Sequence, residues 1–310
     1  MARYLVTGGA GFIGSHIVDR LRARGDEVRI LDDFSSGKRE NVPQGVEVVE
    51  GSAADLETAQ RAVAGCDFVI HQAAIPSVPR SVKDPVSSNR ANVDGTLNML
   101  VAARDTGVTR LVFAGSSSVY GESAVLPKRE DMRPAPLSPY ALQKLIGEQY
   151  CQMFTRLYGL ETVTTRYFNV FGPRQQPGSP YSGVISLFIE ALAQGKAPMV
   201  HGDGRQTRDF TFVGDVVTGV LKAAEAPGAA GEVINVAAGG RISLTELIRN
   251  IQMVLKTDVE PVFGPVREGD VRDSQADIAK ARQLLGFTPT VPFDEGLRET
   301  IAWFQSRSGN

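Results

Sequence analysis

Tyr140 and Lys144 are the residue pair in this chain whose spacing most directly suggests chemistry. Both fall in a stretch, residues 139–158, that predicts a helix, so their side chains share one helix face. A phenol has an ordinary pKa of about 10, and a nearby ammonium lowers that pKa by favouring the phenolate. The pair therefore predicts a general base for work near neutral pH, although such pairs also occur as plain surface features of helices.

Three consecutive hydroxyls, Ser116 to Ser118, follow directly after an apolar segment, residues 111–114, that predicts a buried strand. In open α/β sheets, ligands bind at the carboxyl ends of the strands. The serines are therefore expected beside a substrate. The alternative is a hydroxyl-rich turn that caps its own backbone.

Near the N-terminus, three evenly spaced glycines, Gly8, Gly11 and Gly14, join a short apolar strand to an amphipathic helix. Such a turn lets the backbone approach a pyrophosphate, and the helix N-terminus then presents unpaired N–H groups to its charge. The spacing differs from the usual G-x-G-x-x-G, and glycines alone also fit a turn without a ligand.

An acidic residue strengthens the nucleotide interpretation. A second predicted strand, residues 27–31, ends in Asp32, about 20 residues after the glycine turn, where a ribose-binding acid is expected. A carboxylate there accepts hydrogen bonds from ribose hydroxyls and repels a 2′-phosphate, which predicts NAD rather than NADP. Lys38 and Arg39 lie nearby and leave this preference open, unless they belong to a solvated loop.

The elements that must position these residues alternate between strand and helix patterns. This alternation predicts an α/β fold with a doubly wound parallel (Rossmann) sheet and a smaller C-terminal α/β substrate domain. We expect residues 1–172 plus 212–237 to form the cofactor domain and residues 173–211 plus 238–310 to form the substrate domain. A long helix is expected over residues 86–106.

Composition narrows the class of protein. The 310 residues carry a net charge of −2 with both signs dispersed, so no basic block indicates nucleic acid, and no apolar run of about 18 residues indicates a membrane span. The chain begins in a predicted core strand, so we expect no signal peptide. Cys66 and Cys151 make no disulfide framework, which favours a reducing cytoplasm. The three histidines are scattered, and no metal site is predicted.

Taken together, the motifs resemble the extended short-chain dehydrogenase/reductase family over essentially the whole chain, and within it the UDP-hexose 4-epimerases. The resemblance is carried by TGGAGFIG (7–14), HQAAIPSVPRS (71–81), SSSVYG (116–121), SPYALQK (138–144), RYFNVFGPRQ (166–175), HGDGRQTRDF (201–210) and REGDVRDSQAD (267–277). The segments at 71–81 and 138–144 are most similar to epimerases that act on N-acetylhexosamines.

The resemblance implies roles for individual residues. Ser116, Tyr140 and Lys144 match the catalytic serine, base and lysine. The implied NAD-binding residues are Gly8, Gly11, Phe12, Ile13, Gly14, Asp32, Asp33, Ser35, Ser36, Gly37, Ser52, Ala53, Gln72, Ala73, Ala74, Asn92, Tyr140, Lys144 and Tyr167. The implied substrate-binding residues are Ser116, Ser117, Ser118, Tyr140, Asn169, Val184, Arg208, Arg267, Asp270 and Ser274.

Within the substrate set, Asn169 matches the asparagine that contacts the nucleotide-sugar phosphates. Arg208 and Arg267 match a diphosphate clamp, and guanidinium groups suit phosphate because they pair with its oxygens in bidentate fashion. For either arginine alone, a surface salt bridge is the plainer interpretation. Asp270 matches the carboxylate that binds the uridine ribose.

The chain departs from the family pattern in two places. Ser52 follows Gly51 where the family commonly has an aspartate facing adenine. Ser117 and Ser118 stand where dehydratases carry an Asp-Glu pair, and serines cannot exchange a proton with a sugar carbon. The second departure disfavours dehydration.

The implied reaction is the 4-epimerisation of UDP-hexoses with NAD, through a transient 4-keto sugar. Ser274 occupies the position where a bulky residue restricts the pocket to plain hexoses, so its small side chain favours UDP-GlcNAc and UDP-GalNAc, with UDP-Glc and UDP-Gal also accepted. A loop serine without a role is the plainer interpretation of Ser274. The same fold would also suit a UDP-sugar decarboxylase, a dehydratase, a net reductase or a non-catalytic NAD-sensing protein. A homodimer through the helices at 86–106 and 139–158 is implied as well.

Overall fold

The computed structural model describes residues 1–176, 183–266 and 271–308, and the following description concerns these residues. The strands are β1 (Arg3–Thr7), β2 (Glu27–Asp32), β3 (Glu47–Glu50), β4 (Phe68–His71), β5 (Arg110–Ser116), β6 (Glu161–Tyr167), β7 (Val170–Phe171), β8 (Met199–His201), β9 (Thr207–Arg208), β10 (Thr211–Phe212), β11 (Val233–Val236), β12 (Ile242–Ser243) and β13 (Val262–Gly264). The helices are α1 (Phe12–Ala23), α2 (Leu56–Val63), α3 (Val78–Lys83), α4 (Pro85–Asn89), α5 (Gly95–Asp105), α6 (Pro139–Tyr158), α7 (Val184–Ala193), α8 (Val213–Glu225), α9 (Leu244–Leu255), α10 (Ala279–Leu285) and α11 (Phe293–Ser308).

The main sheet contains seven strands in the order β11-β6-β5-β4-β1-β2-β3, and every neighbouring pair is parallel. The direction of chain progression therefore reverses between β1 and β4, which pair from Tyr4 with Phe68 to Thr7 with His71. Ligands of open α/β sheets bind beside such a reversal, at the carboxyl ends of the strands. The predicted doubly wound sheet is confirmed.

Helices cover both faces of this sheet because alternate strand residues point to opposite layers. On one side, Val6 of β1 belongs to a buried cluster that includes Ile17 of α1 and Val217 of α8. On the other side, Leu5 belongs to a second cluster with Ala59 of α2 and Leu100 of α5. The strands are thus buried on both faces, which explains their nearly continuous apolar sequences.

The C-terminal part is built from small sheets and three packed helices. Strands β9 and β12 pair antiparallel, β8 and β13 pair parallel, and helices α7, α9 and α11 contact one another. Their buried residues join the same cluster as α1 and α8. The division into a cofactor and a substrate domain stays a prediction.

Local signals decide how closely the expected helices match the observed ones. Helix α6 has the expected bounds because Ser138 caps its first turn, Pro139 follows at a tolerated position, and Gly159 ends it with a φ of 71°. The helix expected over 86–106 is instead divided into α4 and α5, with a π-helical turn at Arg90–Asp94 between them. The first helix, which the apolar pattern predicts over residues 15–24, begins at Phe12, since Gly11 is its N-cap.

Among the described residues, helices long and apolar enough to cross a bilayer are absent.

Candidate functional site

A cleft of about 770 Å³ opens at the carboxyl ends of the main strands, beside the β1–β4 reversal. It is lined by nearly all of the site residues expected from sequence. These are Gly8, Gly11, Phe12, Ile13, Gly14, Asp32, Asp33, Ser35, Ser36, Gly37, Ser52, Ala53, Gln72, Ala73, Ala74, Ser116, Ser117, Ser118, Tyr140, Lys144, Tyr167, Asn169, Arg208 and Ser274.

The glycine turn forms one wall of the cleft. Gly8 adopts a φ of 66°, which favours glycine, and its carbonyl oxygen accepts a hydrogen bond of 3.0 Å from the Gly11 amide. A Cβ at Gly14 would clash with that same carbonyl group, so only glycine lets α1 pack so closely on the turn. Gly11 is the N-cap of α1 and has no side chain to cap the first-turn amides. These amides suit the pyrophosphate of a dinucleotide.

Asp32 lies at the end of β2, across the turn from these amides. Its Oδ2 accepts a 2.9 Å hydrogen bond from the Ala10 amide, and its Oδ1 accepts one of 2.8 Å from the Phe34 amide. Burial raises the pKa of this carboxyl, and the two backbone bonds act in the opposite direction. A Cβ at Gly37 would approach Oδ1 to 2.7 Å, so glycine leaves the carboxylate room. A carboxylate has about four acceptor positions, so Asp32 keeps capacity for ribose hydroxyls.

The hydroxyl pair expected to do proton chemistry is brought together at the cleft floor. Ser116 ends β5, Tyr140 lies in the first turn of α6, and both line the cleft, where the Ser116 hydroxyl acts as a hydrogen-bonding group that lowers the pKa of the phenol. Ser116 Oγ also lies 2.8 Å from the Oγ of Ser118 and accepts the Ser118 amide at 3.2 Å. The site therefore holds a phenol next to a chain of hydroxyls, which is an arrangement that can move a proton.

The expected effect of Lys144 on the phenol is not what the structure gives. Burial raises the pKa of Tyr140 to about 12, and the opposing influence is the hydrogen bond with Ser116. The Lys144 ammonium donates instead to the carbonyl oxygen of Ala114 at 2.8 Å and lies 4.9 Å from the ring centre of Phe113. Burial lowers the pKa of Lys144 to about 8. In this protein, burial is the largest influence on the pKa of each of the two groups.

Two expected residues are not among those that line the cleft. The Asn92 amide is engaged with the backbone of Ile75, accepting from its N–H at 2.7 Å and donating to its C=O at 3.2 Å, and it also donates to Gln143. Asn92 therefore fixes the backbone of Ile75, a residue that lines the cleft. Val184 is the first residue of α7, and its neighbour Gly183 lines the cleft in its place. Arg267 and Asp270 lie outside the described residues.

The opposite wall carries the residues expected to hold the substrate. Arg208 Nη1 donates to the carbonyl oxygens of Thr207 at 2.9 Å and Arg272 at 2.8 Å. The backbone amide of Ser274 donates to the same Thr207 carbonyl at 3.1 Å. Asn169 donates to the Asp209 carbonyl at 3.4 Å. Arg208 and Ser274 therefore reach the cleft from adjacent segments.

Sequence reasoning missed several wall residues, of which Lys128 is the clearest. Its side chain is 2% exposed, and its ammonium donates to the carbonyl oxygens of Ser123 at 2.6 Å and Val125 at 3.0 Å. A lone lysine in a loop resembles a solvated charge, and no sequence signal indicates this burial. Tyr120 also lines the cleft, and its place in the SSSVYG segment was the available signal. Within the described residues there is no His, Cys, Asp or Glu cluster that could hold a metal.

Comparison with known proteins gives the class to which this fold and cleft belong. Residues 4–237 match the model of the NAD dependent epimerase/dehydratase family. The chain belongs to this family, an extended short-chain dehydrogenase/reductase family, and its cofactor is NAD.

Individual relatives cover the whole chain. A UDP-glucose 4-epimerase of Mycolicibacterium smegmatis is 41% identical over 313 residues, covering 99% of both chains. A UDP-N-acetylglucosamine 4-epimerase of Methanobrevibacter ruminantium, solved in complex with UDP-N-acetylmuramic acid, superposes with a TM-score of 0.94 at 39% identity, covering 99% of each chain. A UDP-N-acetyl-alpha-D-glucosaminuronate decarboxylase of Bacillus cytotoxicus is 34% identical over 317 residues, covering 98% of both chains. The relatives thus share UDP-sugars and differ in the reaction.

Proposed function

We propose that this protein is an NAD-dependent 4-epimerase that interconverts UDP-GlcNAc with UDP-GalNAc and also UDP-Glc with UDP-Gal. The observation that carries the proposal is the placement of Ser116 and Tyr140 in the same cleft as the glycine turn. Epimerases among the relatives support it. Ser117 and Ser118 argue against dehydration or decarboxylation, because neither can exchange a proton with a sugar carbon.

In this proposal Tyr140 takes the proton of the sugar 4-hydroxyl, and Ser116 holds that hydroxyl and the phenol in line. When bound, NAD supplies a hydride acceptor and a positive ring whose charge favours the phenolate of Tyr140. The resulting 4-keto sugar stays attached to its nucleotide, which Asn169 and Arg208 hold. Because Asn169 and Arg208 hold the nucleotide and not the sugar, the sugar can turn within the cleft. The hydride then returns to carbon 4 on the opposite face of the sugar.

The acceptance of N-acetylated sugars is proposed from Ser274, which lines the same cleft as the hydroxyls. Ser274 is half-buried and lines the same cleft as Ser116 to Ser118. A serine leaves room that a bulky side chain would fill, and the serine run offers hydroxyls to an acetamido group. Arg267 and Asp270 are proposed to complete the diphosphate and ribose contacts.

We also propose a homodimer in a reducing compartment such as the cytoplasm. On α6, Leu142, Met153 and Leu157 are exposed apolar residues spaced so that they share a helix face, and Val86 on the adjacent α4 is 78% exposed. Exposed apolar patches commonly mark interfaces, and pairing of two such faces makes a four-helix bundle. The thiols of Cys66 and Cys151 are both buried and free, which agrees with the reducing setting.

The test is to incubate the purified protein separately with UDP-GlcNAc and UDP-Glc, without added NAD, and to follow the sugar protons by NMR. Appearance of the galacto epimer at unchanged mass supports the proposal, and turnover without added NAD indicates that the cofactor is retained. Tyr140→Phe should reduce turnover by at least about 100-fold, whereas Tyr150→Phe, on the same helix outside the cleft, should not.

The competing functions give different products. A decarboxylase would leave both substrates unchanged and release carbon dioxide from a UDP-uronic acid. A dehydratase would lower the product mass by one water. Binding of NAD without turnover of any nucleotide sugar would favour the sensing protein. Intact turnover in Tyr140→Phe would overturn the assigned base.

A further inference from the structure

The first turn of α6, which carries Tyr140, has unusual backbone partners. The first amides of a helix have no acceptor within the helix and need one from outside. Pro139 has no amide hydrogen, the Ala141 amide is accepted by Ser138 Oγ at 3.2 Å, and the Leu142 amide by the Ser138 carbonyl at 3.0 Å. The remaining amide belongs to Tyr140 itself, and it donates at 3.0 Å to Oγ of Ser81.

Ser81 lies far away in sequence, in the short helix α3, and its relative exposure is 0%. Its hydroxyl hydrogen is already assigned, because Oγ donates to the Val78 carbonyl at 2.7 Å. That bond turns a lone pair of Oγ toward the Tyr140 amide. The serine is therefore held in one orientation, with a donor bond within α3 and an acceptor bond to α6.

The same contact links two walls of the cleft. Val78 and Arg80, which lie in α3 close to Ser81, line the cleft, and so does Tyr140 of α6. A second buried hydroxyl joins α6 to the next helix, α4: Ser88 donates to Gln143 Oε1 at 2.8 Å. Ser88, however, bonds to the side chain of Gln143, about one turn further along α6, and not to the backbone of Tyr140.

We propose that Ser81 is a positioning residue for Tyr140: by accepting the Tyr140 amide it fixes the first turn of α6, and thereby the phenol, relative to Ser116 and the bound sugar. The inference rests on the proposed epimerase function. A proton is transferred efficiently only within hydrogen-bond reach, so a displacement of the phenol by a fraction of an ångström affects the rate more than substrate affinity. A purely structural serine would affect stability alone.

The test compares Ser81→Ala with Ser88→Ala in the NAD-loaded protein, using UDP-Glc. Both variants remove one buried hydroxyl that bonds to α6, Ser81 from α3 and Ser88 from α4. We expect Ser81→Ala to lower kcat about tenfold while KM changes less than about twofold, and Ser88→Ala to keep kcat within about twofold of the wild type. Hydrogen exchange at the Tyr140 amide should accelerate about tenfold in Ser81→Ala only. Ser81→Thr, which keeps the oxygen, should restore both values.

Each other outcome counts against the idea. Equal kcat in Ser81→Ala and Ser88→Ala, with an active wild type, overturns the positioning role and leaves the proposed function intact. Faster exchange at Tyr140 with a wild-type kcat also overturns it. If Ser81→Ala fails to fold, a Ser81→Thr variant that is as slow as Tyr140→Phe would overturn it as well. A wild type that turns over neither UDP-Glc nor UDP-GlcNAc removes the proposed function, and the positioning role with it.

Discussion

The ammonium of Lys144 donates a 2.8 Å hydrogen bond to the carbonyl oxygen of Ala114, two residues before Ser116 on the same strand. Lys144 stands one helical turn after Tyr140, so this bond ties the helix of the phenol to the strand of the serine. The lysine therefore helps to position the helix that carries the phenol. Its charge is kept in a buried place by a carbonyl dipole and the face of Phe113.

Replacing Lys144 by methionine removes the hydrogen bond and the charge while keeping the length of the side chain. We expect kcat to fall by at least about 100-fold, because the helix that carries the phenol loses its anchor on β5 and the site loses a buried cation. Steady-state epimerisation of UDP-Glc is the measurement. Lys222→Met is the matched control, since Lys222 also donates to a backbone carbonyl, that of Leu285, on the C-terminal side of the molecule. Equal effects of the two substitutions would contradict a specific role.

Asp32 should set the preference for NAD over NADP. In Asp32→Asn the side chain keeps its shape and loses its charge, so repulsion of a 2′-phosphate disappears. We expect NAD to bind about tenfold more weakly and the NAD-to-NADP affinity ratio to fall. Titration calorimetry on protein freed of nucleotide measures both constants. The control is Asp26→Asn, at the residue directly before β2 begins and thus at the opposite end of the strand from Asp32. It makes the same change in net charge and should leave the NAD-to-NADP affinity ratio unaltered. An unchanged ratio in Asp32→Asn would point to Lys38 and Arg39 instead.

Ser274 should control the acceptance of acetamido sugars. A tyrosine in its place fills the cleft between the hydroxyl run and the β9 side. We expect Ser274→Tyr to lower kcat/KM for UDP-GlcNAc at least about tenfold more than for UDP-Glc. The two rates are compared by NMR on one preparation. Equal losses on both substrates would show that the substitution damages the site in general and would contradict the steric account.

His71 should make folding stability depend on pH. The Thr96 hydroxyl donates to the Asn92 carbonyl oxygen at 2.7 Å, so it accepts from Nε2 of His71. The Thr7 hydroxyl lies 2.7 Å from Nδ1 of the same ring and donates to it. The imidazole is thus held neutral, and burial lowers its pKa from 6.5 to about 3. Because the unfolded chain binds this proton more readily, the contribution of His71 is full above about pH 6.5 and falls as the pH drops toward 3.

Relative to His71→Gln, the wild type should lose about 2 kcal/mol of unfolding free energy between pH 7 and pH 5. Urea denaturation at both values measures this difference. Asp209 opposes the trend within the wild type: burial raises its pKa to about 6, so its protonation favours the folded state in the same interval. Comparing the two proteins removes that common contribution. If the difference in unfolding free energy between the two proteins did not change with pH, protonation of the His71 imidazole would not destabilise the folded state.

Sequence reasoning found the features that depend on local patterns. The glycine turn follows from closely spaced residues, and each end of α6 follows from the residues beside it, Ser138 and Pro139 at its start and Gly159 at its end. The capping box of Ser243 and Glu246 at the start of α9 is another feature of this short-range kind. Short-range rules of helix capping and turn geometry determine these features directly.

The features that it missed join residues far apart in the chain. The partner of Lys144 is 30 positions away, and Ser81 reaches the Tyr140 amide across 59 positions. The π turn between α4 and α5 has no local signature either. Burial decides the direction of the Tyr140 pKa shift, and burial depends on the complete tertiary structure.

The segment that bears Ser274 is held by main-chain groups. The Ser274 amide donates to Thr207, the Lys128 amide to Gln275, and the Asp277 amide back to Lys128, while Asp209 accepts the Ala276 amide. The path of this wall therefore does not depend on which side chain stands at position 274. A single substitution there can change the size of the pocket while the scaffold stays the same. A single substitution at position 274 should accordingly change the sugar preference without a loss of folding stability.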